Sequence, residues 1–370
     1  MLRILFTGGG TGGHIYPILA IVEELKKKRP DLDLRYLGVP GVYQNLLEAN
    51  GIKTSKIISS KLRRYFDVRN FLDAPKFILS LFQALWKVFW SMPDVLFSKG
   101  GPGALAIVLA CRFYQVPIII HESDSVPGFT NQISSRFAKR IGISFASAAG
   151  ILNGQIALVG NPIRTSLLKE TTEKDAAKRI LGFNSQMPLI LVVGGSQGAV
   201  RLNDFFMEIF EEIIKDFQIF HQTGHNNYQE VKNELTLASA NFSDEEKSRY
   251  KLTAYLDKDL KDVLTAADLV VGRAGSGTIF ELAAFGKPAI LIPLPESAGN
   301  HQTVNAYEYA KTGAAIVIEE DNLKPSIFLT QLKKIFSEPE RFKSMSEAAL
   351  KFAKPDAAKV IAEEILRLGD

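Results

Sequence analysis

Leu2-Arg-Ile-Leu-Phe-Thr-Gly-Gly-Gly-Thr-Gly-Gly-His-Ile-Tyr-Pro-Ile-Leu-Ala20 is the stretch whose reading decides the fold. Its apolar residues 4–6 read as a buried strand. A glycine-rich turn follows at residues 8–13, and Ile18, Ile21, Val22 and Leu25 then recur at helical spacing. A strand, a glycine turn and a helix place backbone N–H groups at a helix N-terminus, where they suit an anion such as phosphate. His14 stands at the mouth of that turn.

Three chemistries compete for this turn. Gly8, Gly10 and Gly13 match the spacing of a dinucleotide fingerprint, which also needs an acid at the end of the second strand for the ribose. Here that strand, residues 34–39, ends in Gly38-Val39-Pro40, and the nearest acids, Asp31 and Asp33, precede it. Gly8 and Gly13 also have P-loop spacing, but His14 and Ile15 replace the required Lys and Ser/Thr. The third reading is a phosphate-binding turn with a titratable group beside it, since a neutral histidine can accept a proton. The structural alternative is that His14 merely caps the helix.

The rest of the chain repeats the opening pattern. Residues 94–103 form a strand running into a second glycine turn, followed by an apolar helix at 104–114 and an apolar strand at 116–120 that ends in His121-Glu122. Short strands are also expected at 56–58, 140–144 and 156–159. After a charged helical connector at 167–181, residues 189–199 restate strand, glycine turn and helix, with the helix running from 202 to 214. Strands at 217–221, 252–256, 269–271, 289–292 and 314–318 complete a second set. A polar helix-loop insertion is expected at 234–251, and an amphipathic helix at 341–368. Apolar strands alternating with helices predict parallel sheets covered on both faces. The chain therefore reads as two similar α/β domains, with the C-terminal strand ends facing a cleft.

With 370 residues the chain has room for two domains, and 46% hydrophobic with 23% charged content makes it globular. A single cysteine, Cys111, excludes a disulfide framework and a cysteine-based zinc site. The net charge of +4 is too mild to argue for nucleic acid. No signal-peptide pattern follows Arg3, which points to a cytoplasmic protein.

Residues 60–92 break the pattern. A basic and aromatic segment precedes residues 77–90, FILSLFQALWKVFW, in which Ser80, Gln83 and Lys87 continue a line from Lys76 to Ser91. One narrow polar stripe thus stands opposite a very broad apolar surface. The run is too short to span a bilayer. It fits a core helix, or an interfacial helix assisted by Lys61, Arg63, Arg64, Arg69 and Lys76 against anionic lipid. Both hold if only the Trp86 and Trp90 end is exposed.

A second chemical cluster lies in residues 273–281, Arg-Ala-Gly-Ser-Gly-Thr-Ile-Phe-Glu. Another nest of N–H groups starts a helix there, and Glu281 could accept from a ribose diol while a diphosphate sits at the helix end. Compensation of the helix dipole is the alternative. Gln302 and Asn305 belong to a run of amides at 299–305, groups that suit sugar hydroxyls. No Asp-x-Asp at a strand end and no spaced His pair suggests an essential divalent ion.

Taken together in order and spacing, residues 8–14, 160–164, 194–199, 273–281 and 300–305 resemble the MurG family, within glycosyltransferase family 28. The resemblance runs from Ile4 to the last helix. It implies the two-domain glycosyltransferase B fold, with residues 1–162 as the acceptor and membrane-side domain and 163–341 as the UDP-sugar domain. The helix at about 342–370 returns to the first domain. It implies an inverting enzyme that moves N-acetylglucosamine (GlcNAc) from UDP-GlcNAc to the C4 hydroxyl of N-acetylmuramic acid in undecaprenyl-linked lipid I, giving lipid II for peptidoglycan.

By that resemblance His14 is the candidate base, with Glu122 able to share the role. Donor contacts fall on Thr11, Gly12, Gly13, Asp124, Arg164, Ser196, Leu256, Ser276, Gly277, Thr278, Glu281, Gln302 and Asn305. Acceptor contacts fall on Gly9, Gly10, Gly100, Gly101 and Asn131. No cofactor or metal is implied. The partners implied are UDP-GlcNAc, lipid I, an anionic membrane surface through residues 61–90 and other cell-wall synthesis proteins, at the cytoplasmic face of the bacterial plasma membrane. The chain departs from the family at Asp124, where an amide is common, and at Pro102-Gly103, where an aromatic or Val is usual. Rival readings are a diacylglycerol-type glycosyltransferase of the same fold, a UDP-GlcNAc epimerase, and a UDP-GlcNAc-binding protein without transfer activity.

Overall fold

The computed structural model describes residues 1–58, 69–168, 172–195, 198–256 and 259–370. Ser196, Lys61, Arg63, Arg64 and the side chain of Arg69 lie outside the described residues. The chain forms two units: Met1–Thr165 with Lys354–Asp370, and Ser166–Ala353.

The first unit holds a parallel sheet of seven strands: β1 Leu2–Thr7, β2 Leu32–Gly38, β3 Lys53–Lys56, β4 Val95–Ser98, β5 Ile118–Glu122, β6 Arg140–Ile143 and β7 Ile156–Leu158. Their order is β3-β2-β1-β4-β5-β6-β7. The second unit holds six parallel strands: β8 Leu189–Val193, β9 Gln218–Gln222, β10 Tyr250–Thr253, β11 Leu269–Gly272, β12 Ala289–Leu291 and β13 Ala315–Val317. Their order is β10-β9-β8-β11-β12-β13. Each order reverses once, between β1 and β4 and between β8 and β11. In open parallel sheets that reversal leaves a crevice at the carboxyl ends of the strands.

Strand residues point alternately to the two faces, so β1 feeds two cores. Ile4 and Phe6 pack with Ile15, Ile18, Val22 and Leu25 of the helix Gly12–Lys28 and with Ile361 and Ile365 of the last helix. Leu5 packs on the other face with Leu96, Ile107 and Ala84. Cys111 is buried in that second core.

Several elements differ from the sequence reading. The expected helix across 202–214 is two, Val200–Glu208 and Phe210–Asp216, divided at Ile209. The strand expected at 56–58 is β3, earlier in the chain; Ile57, just past its end, donates its N–H to Gly38 O at the end of β2. The tail is also two helices, Pro339–Phe352 and Ala357–Gly369, and the four residues between them include Pro355, which cannot supply a helical N–H. The first belongs to the second unit, so the return to the first unit starts at Lys354 and not near 342. The first unit itself extends to Thr165, placing Arg164 within it.

Part of the polar stripe of the helix Arg69–Ser91 faces inward. Ser80, Ala84 and Val88 are fully buried, one turn apart, and Gln83 accepts the Ile58 N–H at 3.0 Å. Small side chains on that face admit close approach to the helix Ala104–Phe113. The large apolar residues are left outside: Phe82, Trp86 and Trp90 are 66%, 66% and 68% exposed, and neighbouring Phe113 is 71% exposed. Exposure begins at Ile78 and is not confined to the Trp86 and Trp90 end. Among the described residues no helix is long and apolar enough to cross a membrane.

Candidate active site

In the first unit, β1 and β4 lie side by side at the reversal, and both end in glycine turns. The helix after β1 starts at Gly12 with Thr11 as its N-cap. Thr11 makes no capping bond to the helix backbone; its hydroxyl lies 2.8 Å from His14 Nδ1. The His14 and Ile15 N–H groups both donate to Thr11 O, at 3.0 and 3.1 Å, and the Thr11 side chain takes none of the first-turn N–H groups. If Nδ1–H donates to Thr11 Oγ1, the lone pair of Nε2 is free to accept a proton.

The imidazole ring packs between the two turns. A Cβ on Gly9 would lie 3.1 Å from its Nδ1, and one on Gly101 3.1 Å from its Nε2. Gly101 has φ +88, and a Cβ there would also meet the Gly9 N at 2.9 Å, so the close approach of the turns requires glycine. Burial lowers the His14 pKa to about 4, helped by the positive charge of Lys99 and opposed by Asp124. The ring is neutral at pH 7.

The carboxyl end of β5 supplies the rest. His121 is fully buried; its Nε2 lies 2.8 Å from Gly160 O and its Nδ1 2.7 Å from Lys99 Nζ. Glu122 accepts the Asp124 and Gly128 N–H groups at 3.0 Å each and Asn131 Nδ2 at 2.9 Å. Three donors on one carboxylate hold the loop after β5 in place and favour the ionised form, although burial and Asp124 push its pKa up. Its oxygens are committed to its own loop, which is the geometry of a positioning group. Asn131, also buried, has its Oδ1 unpartnered, and a Cβ on Gly100 would lie 2.5 Å from that oxygen. A buried amide oxygen without a donor is costly and suits a ligand that brings one.

Gly10 and Gly41 pack backbone to backbone, and Gly13 has open space where a side chain would be. Arg164, expected at the nucleotide, lies over the Tyr16 ring at 4.9 Å. That cation–π contact fixes the residues after β7 to the first helix.

The second unit repeats the device with β8 and β11 adjacent at its reversal. After β8, Gly198 has φ +80, and a Cβ there would overlap the Thr223 carbonyl. Gly195 O accepts from Gln222 Nε2 at 3.0 Å, which ties the turn to β9. After β11 the helix Ser276–Ala284 begins at Gly275, an N-cap without a side chain, and its first turn carries no acid. Ser276, Gly277 and Thr278 are that first turn. An anion there gains about 0.3–1 kcal/mol from the helix dipole, before direct hydrogen bonds are counted.

The side chains around this turn are anchored. Arg273 donates to Ile292 O at 3.2 Å and pairs with Glu320, whose other oxygen takes Arg201 at 2.6 Å. Asn305 is fully buried and donates from Nδ2 to Ala274 O at 3.2 Å, and Gln302 Oε1 accepts from the Leu294 N–H at 3.0 Å. Glu281 is half-buried in the second turn of the helix, and Leu256 is buried after β10. Among the described residues no group of three or more His, Cys, Asp or Glu side chains could hold a metal ion.

Two family models match along the chain: the glycosyltransferase family 28 N-terminal domain over residues 4–143 and the family 28 C-terminal domain over residues 189–361. The chain belongs to glycosyltransferase family 28. Among curated family 28 proteins it is 35% identical over 353 residues, 94% of either chain, to a Clostridium tetani enzyme. That enzyme is named UDP-N-acetylglucosamine–N-acetylmuramyl-(pentapeptide) pyrophosphoryl-undecaprenol N-acetylglucosamine transferase. A protein of the same name from Clostridium kluyveri is 35% identical over 338 residues, covering 90% of this chain and 91% of that one. The crystal structure of MurG from Acinetobacter baumannii superposes with a TM-score of 0.75 at 26% identity, covering 99% of this chain and 100% of that one.

In this family 28 chain the four glycine turns and His14 stand out in the sequence, and Lys99 does not. It is a charged residue directly after an apolar strand and before Gly100, and such a position lies at the carboxyl edge of a parallel sheet. That signal was available. Its burial, at 4% exposed, was not.

Proposed function

We propose that this chain transfers N-acetylglucosamine from UDP-GlcNAc to the C4 hydroxyl of the N-acetylmuramoyl group of lipid I, giving lipid II. The observation that carries the reading is a neutral imidazole held between two glycine turns at one switch point, in a family 28 chain. The activity after which the clostridial relatives are named supports the choice of substrates.

In this reading the second unit holds the donor. The first turn of the helix Ser276–Ala284 faces the diphosphate, Glu281 takes the ribose hydroxyls, the backbone at Leu256 meets the uracil, and Gln302 and Asn305 face the sugar. The first unit holds the acceptor, with the turns at 8–13 and 100–103 toward the lipid diphosphate and Asn131 Oδ1 accepting from it or from its sugar. The acceptor C4 oxygen attacks the anomeric carbon while the bond from that carbon to the diphosphate breaks, and the configuration inverts. UDP leaves with the bonding electrons, and the helix N-terminus stabilises its charge. The hydroxyl proton passes to His14 Nε2. An imidazole with a pKa of about 4 is neutral but weakly basic, and an anionic substrate beside it raises that value. Arg164, Asp124 and Thr11 act from the first unit on the placement of these groups.

The exposed apolar face of the helix Arg69–Ser91, with Phe113, rests on an anionic membrane surface at the cytoplasmic side, where the acceptor's lipid is anchored. Each large side chain that enters the interface contributes up to about 1.5–3 kcal/mol, and Trp suits that depth.

The test is transfer of labelled GlcNAc from UDP-GlcNAc to a short-chain lipid I analogue, run beside diacylglycerol, with and without EDTA. Formation of the disaccharide product on the lipid I analogue alone is expected, and it is expected to persist in EDTA. Transfer only to diacylglycerol, or none, overturns the assignment; loss with EDTA removes its metal-free part.

A further inference from the structure

The proposed reaction leaves Lys99 without a role, yet a lysine is rarely buried without a carboxylate partner. Lys99 Nζ donates to His121 Nδ1 at 2.7 Å and to Ser123 Oγ. Both acceptors are neutral. With His121 Nε2–H donating to Gly160 O, Nδ1 keeps its lone pair, and burial with the nearby ammonium holds the ring far below its usual pKa. Ser123 in turn donates its O–H to Asn161 Oδ1 at 3.1 Å. The ammonium therefore sits in a cradle of uncharged acceptors, and burial brings its pKa down to about 8 while Glu122 and Asp124 raise it from farther off. It is mostly charged at neutral pH.

The Lys99 and His14 side chains both leave the backbone beside Gly8. A Cβ on Gly8 would lie 3.3 Å from His14 Cβ and 3.4 Å from Lys99 Cβ, so the two side chains flank one piece of backbone. The turn that follows Lys99 also brings Gly101 against His14 Nε2. The charged groups that act on the ring are Lys99 after β4 and Asp124 in the loop after β5. Lys99 opposes protonation of His14 and Asp124 favours it.

We propose that Lys99 is a positioning residue whose buried ammonium adds to burial in opposing protonation of His14, so that the imidazole stays ready to take the proton of the acceptor hydroxyl further into the acid range. The proposal rests on the reading of His14 as the base. Its electrostatic half is independent of any substrate, so the two can fail separately.

The experiment is titration of the histidine side chains by NMR in the full chain without substrate, from pH 4.5 to 8. The wild-type His14 ring shows no midpoint above pH 5. Lys99→Met raises its midpoint by about one pH unit. The double variant K99M/D124N brings the midpoint back down relative to K99M, because the carboxylate that favours protonation is also gone. Simple wetting of the site would leave the double variant as high as the single one. If Lys99→Met does not fold, Lys99→Gln, which can still hydrogen-bond, takes its place. In turnover, the acid limb of kcat moves to higher pH with the His14 midpoint, while KM for UDP-GlcNAc stays the same. An unmoved His14 midpoint, a double variant no lower than the single, or a moved midpoint with an unmoved acid limb overturns the proposal. Absence of transfer in the wild type overturns the functional reading and leaves the titration to decide the electrostatics.

Discussion

The two units carry the same backbone device and place different chemistry on it. In both, adjacent strands at the reversal of a parallel sheet end in glycine turns that start helices. Around the first pair stand His14, Lys99, His121 and Glu122, all with protonation shifted by burial and by one another. Around the second pair, Arg273, Gln302 and Asn305 are tied to backbone atoms. Backbone N–H groups at a helix end recognise an anion in either unit. In the proposed reaction the first is the one that takes the proton. A reaction that needs one proton acceptor and one leaving-group anchor divides naturally between such units.

The comparison can be broken at three points. The largest effect is expected from His14→Ala, which should lower kcat by about 10²- to 10⁴-fold and leave the affinity for UDP-GlcNAc near normal; near-normal turnover would remove the proton transfer from the first unit. Glu281→Gln is expected to raise KM for UDP-GlcNAc by about ten- to a hundredfold, the worth of charge-assisted hydrogen bonds at about 1.5–3 kcal/mol. A drop in kcat alone would place Glu281 in the chemistry instead. The smallest effect on catalysis belongs to Trp86→Ser with Trp90→Ser. Cosedimentation with anionic vesicles should fall about tenfold or more while transfer to a short-chain soluble acceptor is unchanged. Equal loss of both would mean that this helix supports the turns and not a membrane surface.

Much of the fold was legible in the chain. Apolar runs such as Val95–Phe97 in β4 and Ile118–Ile120 in β5, separated by helical periodicity, leave parallel sheets as the architecture that buries both faces. The glycine turns were legible because the left-handed backbone at Gly101 and Gly198 admits no other residue cheaply. The helix Arg69–Ser91 was half legible. Its amphipathic pattern was plain, but which face turned inward depended on the partner helix. Small residues Ser80 and Ala84 won the contact because they allow close packing, and that left the aromatic residues outside. The tail illustrates a local limit of another kind, since Pro355 divides what periodicity alone would join.

By itself the sequence determined the two α/β units, the four glycine turns and the histidine beside the first, because apolar runs, helix periodicity and clustered glycines are properties of neighbours along the chain. Only the tertiary structure decided that the turns after β1 and β4 are adjacent, that Glu122 is spent on its own loop, and that Lys99 is buried against His121 and Ser123 beside Gly8. Strand order and the desolvation of a charge depend on which distant segments surround it, and no local pattern encodes them.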